Sequence, residues 1–462
     1  GNPRGYVELI TGAYSVQTAR SGRPALVRPD GSWAESRFHP EKDASRRVAD
    51  AKLEPGDKVL LLGMGAGELP RAILGACGPD GRLVIAEPEG RAIDAVMASG
   101  HGEYLSDERV EVITSNVVVG VSGTTRAWKI CRTAQEFYRA LAALDSDLKC
   151  LAHPGLTPPP GYEALVSVIE DFEIRRRSSF RFADDFERNI QLNRESFAAA
   201  LPVSRLRGIL AGEDVIVAGG GPSLESISRA VGADANWIAV GTALLPLRAR
   251  GIIPHLAVIT DPQPSVGIQL STLDPDDRPP VVVFPSTAHE VILAARRLIA
   301  AHPEAGWPGT GMPGRGANHE NALPAGGTVA TTAIGLAVLA GARRIYLAGV
   351  DLAEVPERTH TRGTASEQMM VETMGRFGTI EASLQRCRGE FIEAVSVTGT
   401  PIRTRRNLQL YARAIEGLAT RHSSVEFLQL SPMALPLRGI PFVDVSNRNL
   451  SKISKFLLPE PT

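Results

Sequence analysis

The chain has 462 residues, more than one hydrophobic core usually serves, which predicts two or three domains. Its 50 basic and 51 acidic side chains nearly cancel, so bulk charge offers no attraction for nucleic acid. No apolar run reaches the roughly 18 residues of a membrane helix, and nothing at the N-terminus resembles a secretory signal. Four scattered cysteines without a C-x-x-C pair argue against structural zinc. We expect a cytoplasmic protein with neither a membrane nor a nucleic-acid partner.

The first 161 residues have the pattern of a small α/β domain. The apolar run 58–62 leads into the glycine-rich segment Gly63–Glu68, and further strands are expected at 83–87 and 110–114. Glu87 ends its strand about twenty residues beyond the glycines, where dinucleotide folds place a ribose-binding acid. This domain is therefore expected to carry a small parallel sheet.

The next 49 residues, 162–210, are charged and helix-like and predict a helical connector. The central domain is expected at 211–400, where strand-like runs alternate with helical patterns, as in a parallel, doubly wound, Rossmann-like sheet. The runs are 215–218, 237–240, 256–260, 281–284 and 344–350. The glycine- and proline-rich segment 303–327 is too long for an ordinary connection and is either disordered or a lid. Residues 401–462 predict a mainly helical C-terminal region.

The most informative stretch is the strand, turn and helix start from Val215 to Glu225. An apolar run enters three glycines, and a Pro-Ser pair then opens a helix, so that backbone N–H groups face a ligand anion. The residues of this turn are Gly219, Gly220, Gly221, Pro222 and Ser223. The pattern is neither the dinucleotide G-x-G-x-x-G nor a Walker loop, because no later glycine or Gly-Lys-Ser/Thr follows. An ordinary glycine-rich turn remains the alternative.

Polar residues follow several predicted strands of the central domain, and such strand ends meet at one edge of a parallel sheet. They include Thr242, Asp261 and Asp351. The two aspartates are suited to bind a metal or orient a base, and equally to cap helices. No lysine lies between Lys149 and Lys452, so a charged ligand there must be met by arginines, backbone N–H groups, hydroxyls or a metal.

Two further segments bring hydroxyls and a histidine to this domain. Thr328 and Thr331 lie at the start of an alanine-rich helix, where they either face an anion or serve only for capping and packing. His360 lies in a polar loop and is a candidate general base, while a solvated loop histidine is the plain alternative. Arg362 beside it is suited to meet a carboxylate or phosphate.

In this order, the motifs resemble those of the motility-associated-factor (Maf) flagellin glycosyltransferases, and the resemblance covers most of the chain. The central domain of that family is shared with archaeal-type 6-hydroxymethylpterin diphosphokinases and is similar to bacterial CMP-sialic-acid sialyltransferases. The segments that carry the resemblance are 36–44, 63–68, 87–88, 219–224, 251–262, 326–332, 349–352, 360–363 and 408–419.

The resemblance implies transfer of a sialic-acid-like sugar, pseudaminic or legionaminic acid, from CMP to Ser or Thr hydroxyls of flagellin. In that scheme the turn Gly219–Ser223 holds the CMP phosphate and ribose, and Thr328 and Thr331 line the donor site. His360, by position, deprotonates the acceptor hydroxyl. The CMP-sugar and flagellin are the expected partners, and no metal is expected to be required. Gly241-Thr242 departs from the more polar pair expected at that point.

Three alternatives stay open. The central domain suits a pterin-type diphosphokinase, which would use ATP and magnesium, although the large N-terminal domain is unnecessary for that reaction. The segment 63–67 together with Glu87 resembles S-adenosylmethionine methyltransferases. A non-catalytic flagellin-binding module that keeps only the fold is the third alternative.

Overall fold

The structure of the protein is a computed structural model. The described residues are 13–115, 128–133, 136–137, 140–141, 144, 148–156, 162, 181–231, 233–304, 319–325, 327–354, 358–372, 374 and 391–444. The chain divides into two compact units, Gly1–Phe180 and Arg181–Thr462. The boundary falls inside the expected connector, 162–210. Within the described ranges, no helix combines the length and the apolar character needed to cross a membrane.

Unit 1 contains a five-stranded parallel sheet, and an antiparallel pair of short strands precedes it in the sequence. Its strands are β1 (Ser15–Thr18), β2 (Pro24–Val27), β3 (Lys58–Leu62), β4 (Arg82–Glu87), β5 (Val110–Ser115), β6 (Trp128–Cys131) and β7 (Lys149–Ala152). Its helices are α1 (Pro40–Asp50), α2 (Glu68–Cys77) and α3 (Gly90–Ala98). The parallel sheet has the order β6–β5–β4–β3–β7, so that the strand order reverses at β3.

The central strand of unit 1 shows why its sequence is apolar throughout. Side chains of a strand alternate between the two faces of the sheet. Val59 and Leu61 enter one apolar cluster, and Leu60 and Leu62 enter another, each with no exposed surface. Because both faces of β3 are covered, a continuous apolar run is required, as in other buried parallel sheets.

Unit 2 contains an eight-stranded parallel sheet and two small strand pairs. Its strands are β8 (Leu201–Pro202), β9 (Asp214–Ala218), β10 (Trp237–Val240), β11 (Leu256–Val258), β12 (Val281–Val283), β13 (Leu298–Ala300), β14 (His302–Pro303), β15 (Ala322–Leu323), β16 (Arg344–Ala348), β17 (Ile392–Val395), β18 (Pro401–Thr404) and β19 (Glu426–Gln429). The large sheet has the order β19–β16–β9–β10–β11–β12–β13–β8. β14 and β15 form a parallel pair, and β17 and β18 an antiparallel pair.

Helices connect and flank the strands of unit 2. They are α4 (Ala183–Ala199), α5 (Leu224–Val231), α6 (Gly241–Arg248), α7 (Ile268–Ser271), α8 (His289–Ala294), α9 (Val329–Leu339), α10 (Ala365–Glu372) and α11 (Arg406–Arg421). Short 3-10 turns across the two units lie at Glu103–Ser106, Val203–Leu206, Pro264–Gly267, Pro275–Asp277 and His319–Asn321. The parallel sheet with flanking helices confirms the Rossmann-like α/β class expected from the sequence.

The order of the large sheet determines where a ligand crevice lies. From β9 the chain builds β10, β11, β12 and β13 outward on one side, whereas β16 and β19 lie on the other side. The strand order therefore reverses between β9 and β16, and open α/β sheets bind ligands at the carboxyl ends of the strands at such a point.

Two segments of unit 2 contain short strands. The region 401–462, expected to be mainly helical, contributes the edge strand β19, which pairs with β16 along four residues. The segment 303–327, expected to be disordered or a lid, lies largely outside the described residues, and β15 within it pairs with β14.

Candidate functional site

The turn Gly219–Ser223, here called the glycine loop, follows β9 and precedes α5. The Gly219 N–H donates to the Ala348 carbonyl, and the Gly221 N–H donates to the Gly349 carbonyl at 2.8 Å. A Cβ atom on Gly219 would lie 2.5 Å from the Gly349 oxygen. The glycines are therefore needed because the backbone after β16 comes very close at the switch point of the sheet.

Asp351 lies at the end of the glycine loop that leads into α5. Its Oδ2 accepts a 2.8 Å hydrogen bond from the Ser223 N–H, and only 3% of the residue is exposed. Burial raises the pKa of this carboxyl, while hydrogen bonds from Ser223 and Ser431 act in the opposite direction. The side chain of Asp351 thus already accepts the N–H at the N-terminus of α5, where the sequence predicted a ligand anion.

Thr242 and His360 lie beside the middle glycine of the loop. A Cβ atom on Gly220 would lie 2.5 Å from Thr242 Oγ1 and 3.4 Å from His360 Cδ2. The Thr361 N–H donates to the Gly220 carbonyl at 2.8 Å and attaches the histidine segment to the glycine loop. Gly220 and Thr242, predicted from two strand ends, and His360, predicted from a polar loop, are therefore brought together.

The surroundings of His360 favour its neutral form. The residue is exposed, but protein atoms around the ring lower the pKa of the imidazole, and the Glu354 carboxylate acts in the opposite direction. Thr359 Oγ1 lies 3.0 Å from Nδ1. If Nδ1 carries the proton and donates it to Thr359, Nε2 is the basic nitrogen.

Helix α4 holds the loops that follow β11 and β12. Asn189 Nδ2 donates to the carbonyls of Pro262 and Ser286, at 2.8 and 3.1 Å. Asn193 Nδ2 donates to the carbonyls of Pro285 and Thr287, on either side of Ser286. Both asparagines have no exposed surface. Sequence reasoning missed them, although their spacing of four residues places them on one face of a helix.

Asp261 lies in the first of these loops, after β11. Burial raises the pKa of its carboxyl, and among the described residues no donor is found within hydrogen-bond distance of it. Burial raises the pKa of Tyr411, a residue of α11; a hydrogen bond with Asn407 lowers it, and the nearby charge of Asp261 adds to the increase. Tyr411 was not predicted as a site residue because its helix lies outside the central strands and loops.

The N-terminus of α9 lies next to Tyr411. A Cβ atom on Gly327 would lie 2.7 Å from Tyr411 Cε1. Thr328 caps the helix, because its Oγ1 accepts the Ala330 N–H at 3.4 Å. The Thr331 hydroxyl is buried and has no hydrogen-bond partner among the described residues.

Two further predicted site residues, Pro222 and Arg362, are at least partly accessible to solvent. Arg362 is exposed and makes no polar contact among the described residues, and Pro222 is half-buried. Arg358, in the same segment as His360, lies 3.5 Å from Glu225 of α5. Among the described residues, no three His, Cys, Asp or Glu side chains are grouped so that they could hold a metal.

In unit 1, the turn Gly63–Gly67 is filled by side chains of the protein itself. Glu87 accepts the Met64 N–H at 3.1 Å, and Glu35 accepts the Ala66 N–H at 2.8 Å. Glu35 also lies 3.4 Å from His153, and both side chains are about one-twentieth exposed. Burial raises the pKa of Glu87 to about 7. Glu87, expected to bind a ribose, thus accepts backbone N–H groups of its own unit.

Comparisons with known proteins show which proteins this chain resembles. Residues 185–357 match the family model described as 6-hydroxymethylpterin diphosphokinase MptE-like. The chain is similar to the structure of a MAf glycosyltransferase from Magnetospirillum magneticum AMB-1, with a TM-score of 0.52 and 13% identity. That similarity covers 94% of this chain and 71% of the other. The chain has the Maf glycosyltransferase fold. The comparison with curated proteins finds no match.

The resemblance predicted from the motifs is thereby confirmed at the level of the fold. The Maf-type fold contains the MptE-like segment 185–357 within unit 2. That segment includes the glycine loop, Asp261, Thr331 and Asp351, whereas His360 and Tyr411 follow it in sequence. The site described above is thus built from the MptE-like segment together with residues that lie beyond it.

Proposed function

We propose that unit 2 binds a CMP-activated nonulosonic acid and transfers its sugar to Ser or Thr hydroxyls of flagellin. The observation that carries the proposal is the meeting of Gly220, Thr242 and His360 at the switch point of a sheet with the Maf glycosyltransferase fold. In the same unit, the buried hydroxyls of Ser286, Thr331 and Thr361 have no hydrogen-bond partner in the part of the chain that the structure describes. Such groups are suited to bind a polar ligand.

His360 acts as the general base in this proposal. Its lowered pKa keeps the imidazole neutral near pH 7, so that it can accept the proton of the acceptor hydroxyl. The hydroxyl oxygen then bonds to the anomeric carbon of the sugar, and the bond from that carbon to the phosphate oxygen breaks. CMP departs with the electron pair. Positioning of the two substrates supplies much of the rate in such a step.

The absence of lysine between Lys149 and Lys452 agrees with this chemistry. Backbone N–H groups, hydroxyls and arginines are then the available partners for an anionic donor. No metal takes part in the proposed step. The cytoplasmic location stays a prediction.

The direct test is intact-mass measurement of the cognate flagellin with and without this protein. A mass increase per modified residue that equals one nonulosonic acid supports the proposal and distinguishes between candidate sugars. Unmodified flagellin, in the presence of active donor, would contradict it.

The description of the family model that matches 185–357 favours a second candidate, a pterin-type diphosphokinase. Thermal-shift titration separates the two. Stabilisation by CMP without metal supports sugar transfer, whereas stabilisation by ATP with magnesium supports phosphoryl transfer.

A further inference from the structure

Two asparagines of α4 attach that helix to the loops at the carboxyl edge of the large sheet. The Nδ2 atoms of Asn189 and Asn193 each donate to two backbone carbonyls, at distances between 2.7 and 3.1 Å. The accepting carbonyls belong to Pro262, Pro285, Ser286 and Thr287. Residues four apart share one face of a helix, so a single face of α4 holds both the loop after β11 and the loop after β12.

Neither asparagine side chain is available to a ligand. Both residues have no exposed surface, and both N–H bonds of each amide group are used by carbonyls. The Asn193 Oδ1 atom lies 2.8 Å from His289 Nδ1, and the Asn189 Oδ1 atom lies 3.2 Å from Arg188 Nη2. An amide oxygen only accepts hydrogen bonds, so His289 Nδ1 carries a proton in this arrangement. The two asparagines therefore act on the backbone of the loops and not on a ligand directly.

The loops that Asn189 holds carry two polar side chains with unused hydrogen-bonding capacity. The Asp261 carbonyl accepts the Ala288 N–H at 2.9 Å, which joins the two loops next to the Asn189 bonds. The Asp261 carboxyl is partly accessible and has no hydrogen-bond donor in the part of the chain described. The Ser286 hydroxyl is buried and has no partner among the same residues. A carboxyl and a hydroxyl of this kind are suited to accept from and donate to the polar groups of a ligand.

We infer that Asn189 and Asn193 are positioning residues for donor binding, because they hold the loops after β11 and β12 in the arrangement that receives the CMP-activated sugar. This inference rests on the proposed function, since it takes that donor as the ligand. A loop that is already held in its binding conformation loses less conformational freedom when the ligand binds, so the affinity is higher. The proposed base, His360, lies in a different segment of the chain. The two asparagines should therefore affect the affinity for the donor and not the rate of the chemical step.

The test compares Asn189→Leu and Asn193→Leu with Asn236→Leu in the full chain. Leucine has the same branched side-chain skeleton as asparagine but cannot donate a hydrogen bond. Asn236 is a matched control, because it is 2% exposed and its Nδ2 donates to the Asp214 carbonyl at the opposite, amino edge of the same sheet. Calorimetry gives the dissociation constant for CMP, and transfer from CMP-pseudaminic acid to flagellin gives KM and kcat. Thermal unfolding gives the stability of each variant.

The two kinds of variant should lose stability alike but differ in ligand binding. Asn189→Leu and Asn193→Leu each leave two buried carbonyls without a donor, so the dissociation constant for CMP and the KM for the donor should rise about tenfold or more. The value of kcat should stay within about twofold of the wild type. Asn236→Leu should lower the unfolding temperature and leave both binding constants at the wild-type values.

Three results would overturn the inference and leave the proposed function intact. They are wild-type binding constants in either α4 variant, a fall in kcat at unchanged KM, and an equal rise of KM in Asn236→Leu. If the wild type does not bind CMP, the proposed function and the inference both fail. If a leucine variant does not fold, the serine variant at the same position replaces it. A serine hydroxyl donates at most one hydrogen bond, so the two binding constants should still rise, and wild-type values would again overturn the inference.

Discussion

Both units place a glycine-rich turn at the strand where the order of their sheet reverses, yet the glycines serve different purposes. In unit 1, Gly63, Gly65 and Gly67 have φ values of 76°, 58° and 108°, a backbone conformation that other residues rarely adopt. In unit 2, the residues Gly219–Gly221 have no such φ, and a Cβ atom there would meet neighbouring backbone or side chains. The same sequence signature thus arises from a conformational need in one unit and from close approach in the other.

The neighbours of the two turns differ as well. Around the turn of unit 1 lie buried carboxylates, Glu35 and Glu87, which accept its N–H groups. Around the glycine loop of unit 2 lie a hydroxyl and an imidazole, from Thr242 and His360. Backbone N–H groups of both turns have acceptors within the protein, since those of Gly219, Gly221 and Ser223 are also used, so the difference lies in the neighbouring side chains. A turn bordered by groups with unused hydrogen-bonding capacity is the better candidate for ligand binding.

The largest effect is expected from His360→Ala, because the proposed chemistry depends on this base alone. Removing a general base typically costs about 10²–10⁴ in rate, and we expect a loss of that order in sugar transfer. CMP affinity, measured by calorimetry, should change less than about twofold. Wild-type transfer by the variant would remove the functional distinction between the two turns.

The pH profile of sugar transfer by the wild type also tests whether His360 is the general base. The base must be deprotonated, and the pKa of His360 is lowered from 6.5. The rate of transfer should therefore persist below pH 6.5 before it falls on the acidic side. A fall centred above pH 6.5 would contradict the assignment of His360.

The next largest effect concerns Glu87 of unit 1. Its pKa is raised from 4.5 to about 7 in the folded chain, so between these pH values the folded state binds a proton that the unfolded state lacks. The free energy of unfolding of unit 1 should therefore fall, by about 3 kcal/mol in total, as the pH rises through this window. Hydrogen exchange of β4 amides, corrected for intrinsic rates, measures this slope. Glu87→Gln should abolish it, and an unchanged slope would show that another group is responsible.

A pair of glycine substitutions compares the two turns directly. Gly220→Ala places a Cβ atom 2.5 Å from Thr242 Oγ1, and overpacking of about 1–3 kcal/mol should weaken CMP binding roughly 5- to 150-fold. Gly65→Ala meets Glu35 Oε1 at 2.5 Å with φ of 58°, and should lower the stability of unit 1 while CMP affinity stays at the wild-type value. Calorimetry and thermal unfolding check both. The opposite pattern would reverse the roles of the two turns.

The smallest effect is expected for Arg362→Ala. The side chain is exposed and makes no polar contact among the described residues, so the free energy of unfolding should change by less than about 0.5 kcal/mol. If the guanidinium meets the anionic donor, donor affinity falls a few-fold at low salt, and the difference disappears at high salt. Arg207→Ala, at another exposed arginine of unit 2, should not change the affinity at either salt concentration.

Strands and turns that depend on residues adjacent in the chain could be predicted from the sequence. The apolar run that ends at Ala218 and the glycines after it specify a buried strand and a tight turn, and both are present. Helix capping was among the roles expected for Asp351, but the helix concerned could not be predicted, because its partner Ser223 lies 128 residues away along the chain. Asn189 and Tyr411 were missed for a related reason. Each lies in a helix that seemed peripheral in sequence, and only the fold brings it to the strand-end loops.

Glu87 shows the limit of positional rules. Its place at the end of β4 predicted a ribose ligand, and the spacing is as expected. The spacing cannot reveal whether the carboxylate oxygens are free. Here they accept the N–H groups of Met64 and Glu89, which lie within its own unit.

The strand β19 has a practical consequence for dissecting the protein. The match to the family model ends at residue 357, but the strand that covers the edge of β16 comes from Glu426–Gln429. A fragment cut at 357 would leave the backbone N–H and carbonyl groups of β16 open along that edge, which invites pairing between copies and aggregation. During synthesis, the same edge stays open until residues 426–429 have emerged from the ribosome.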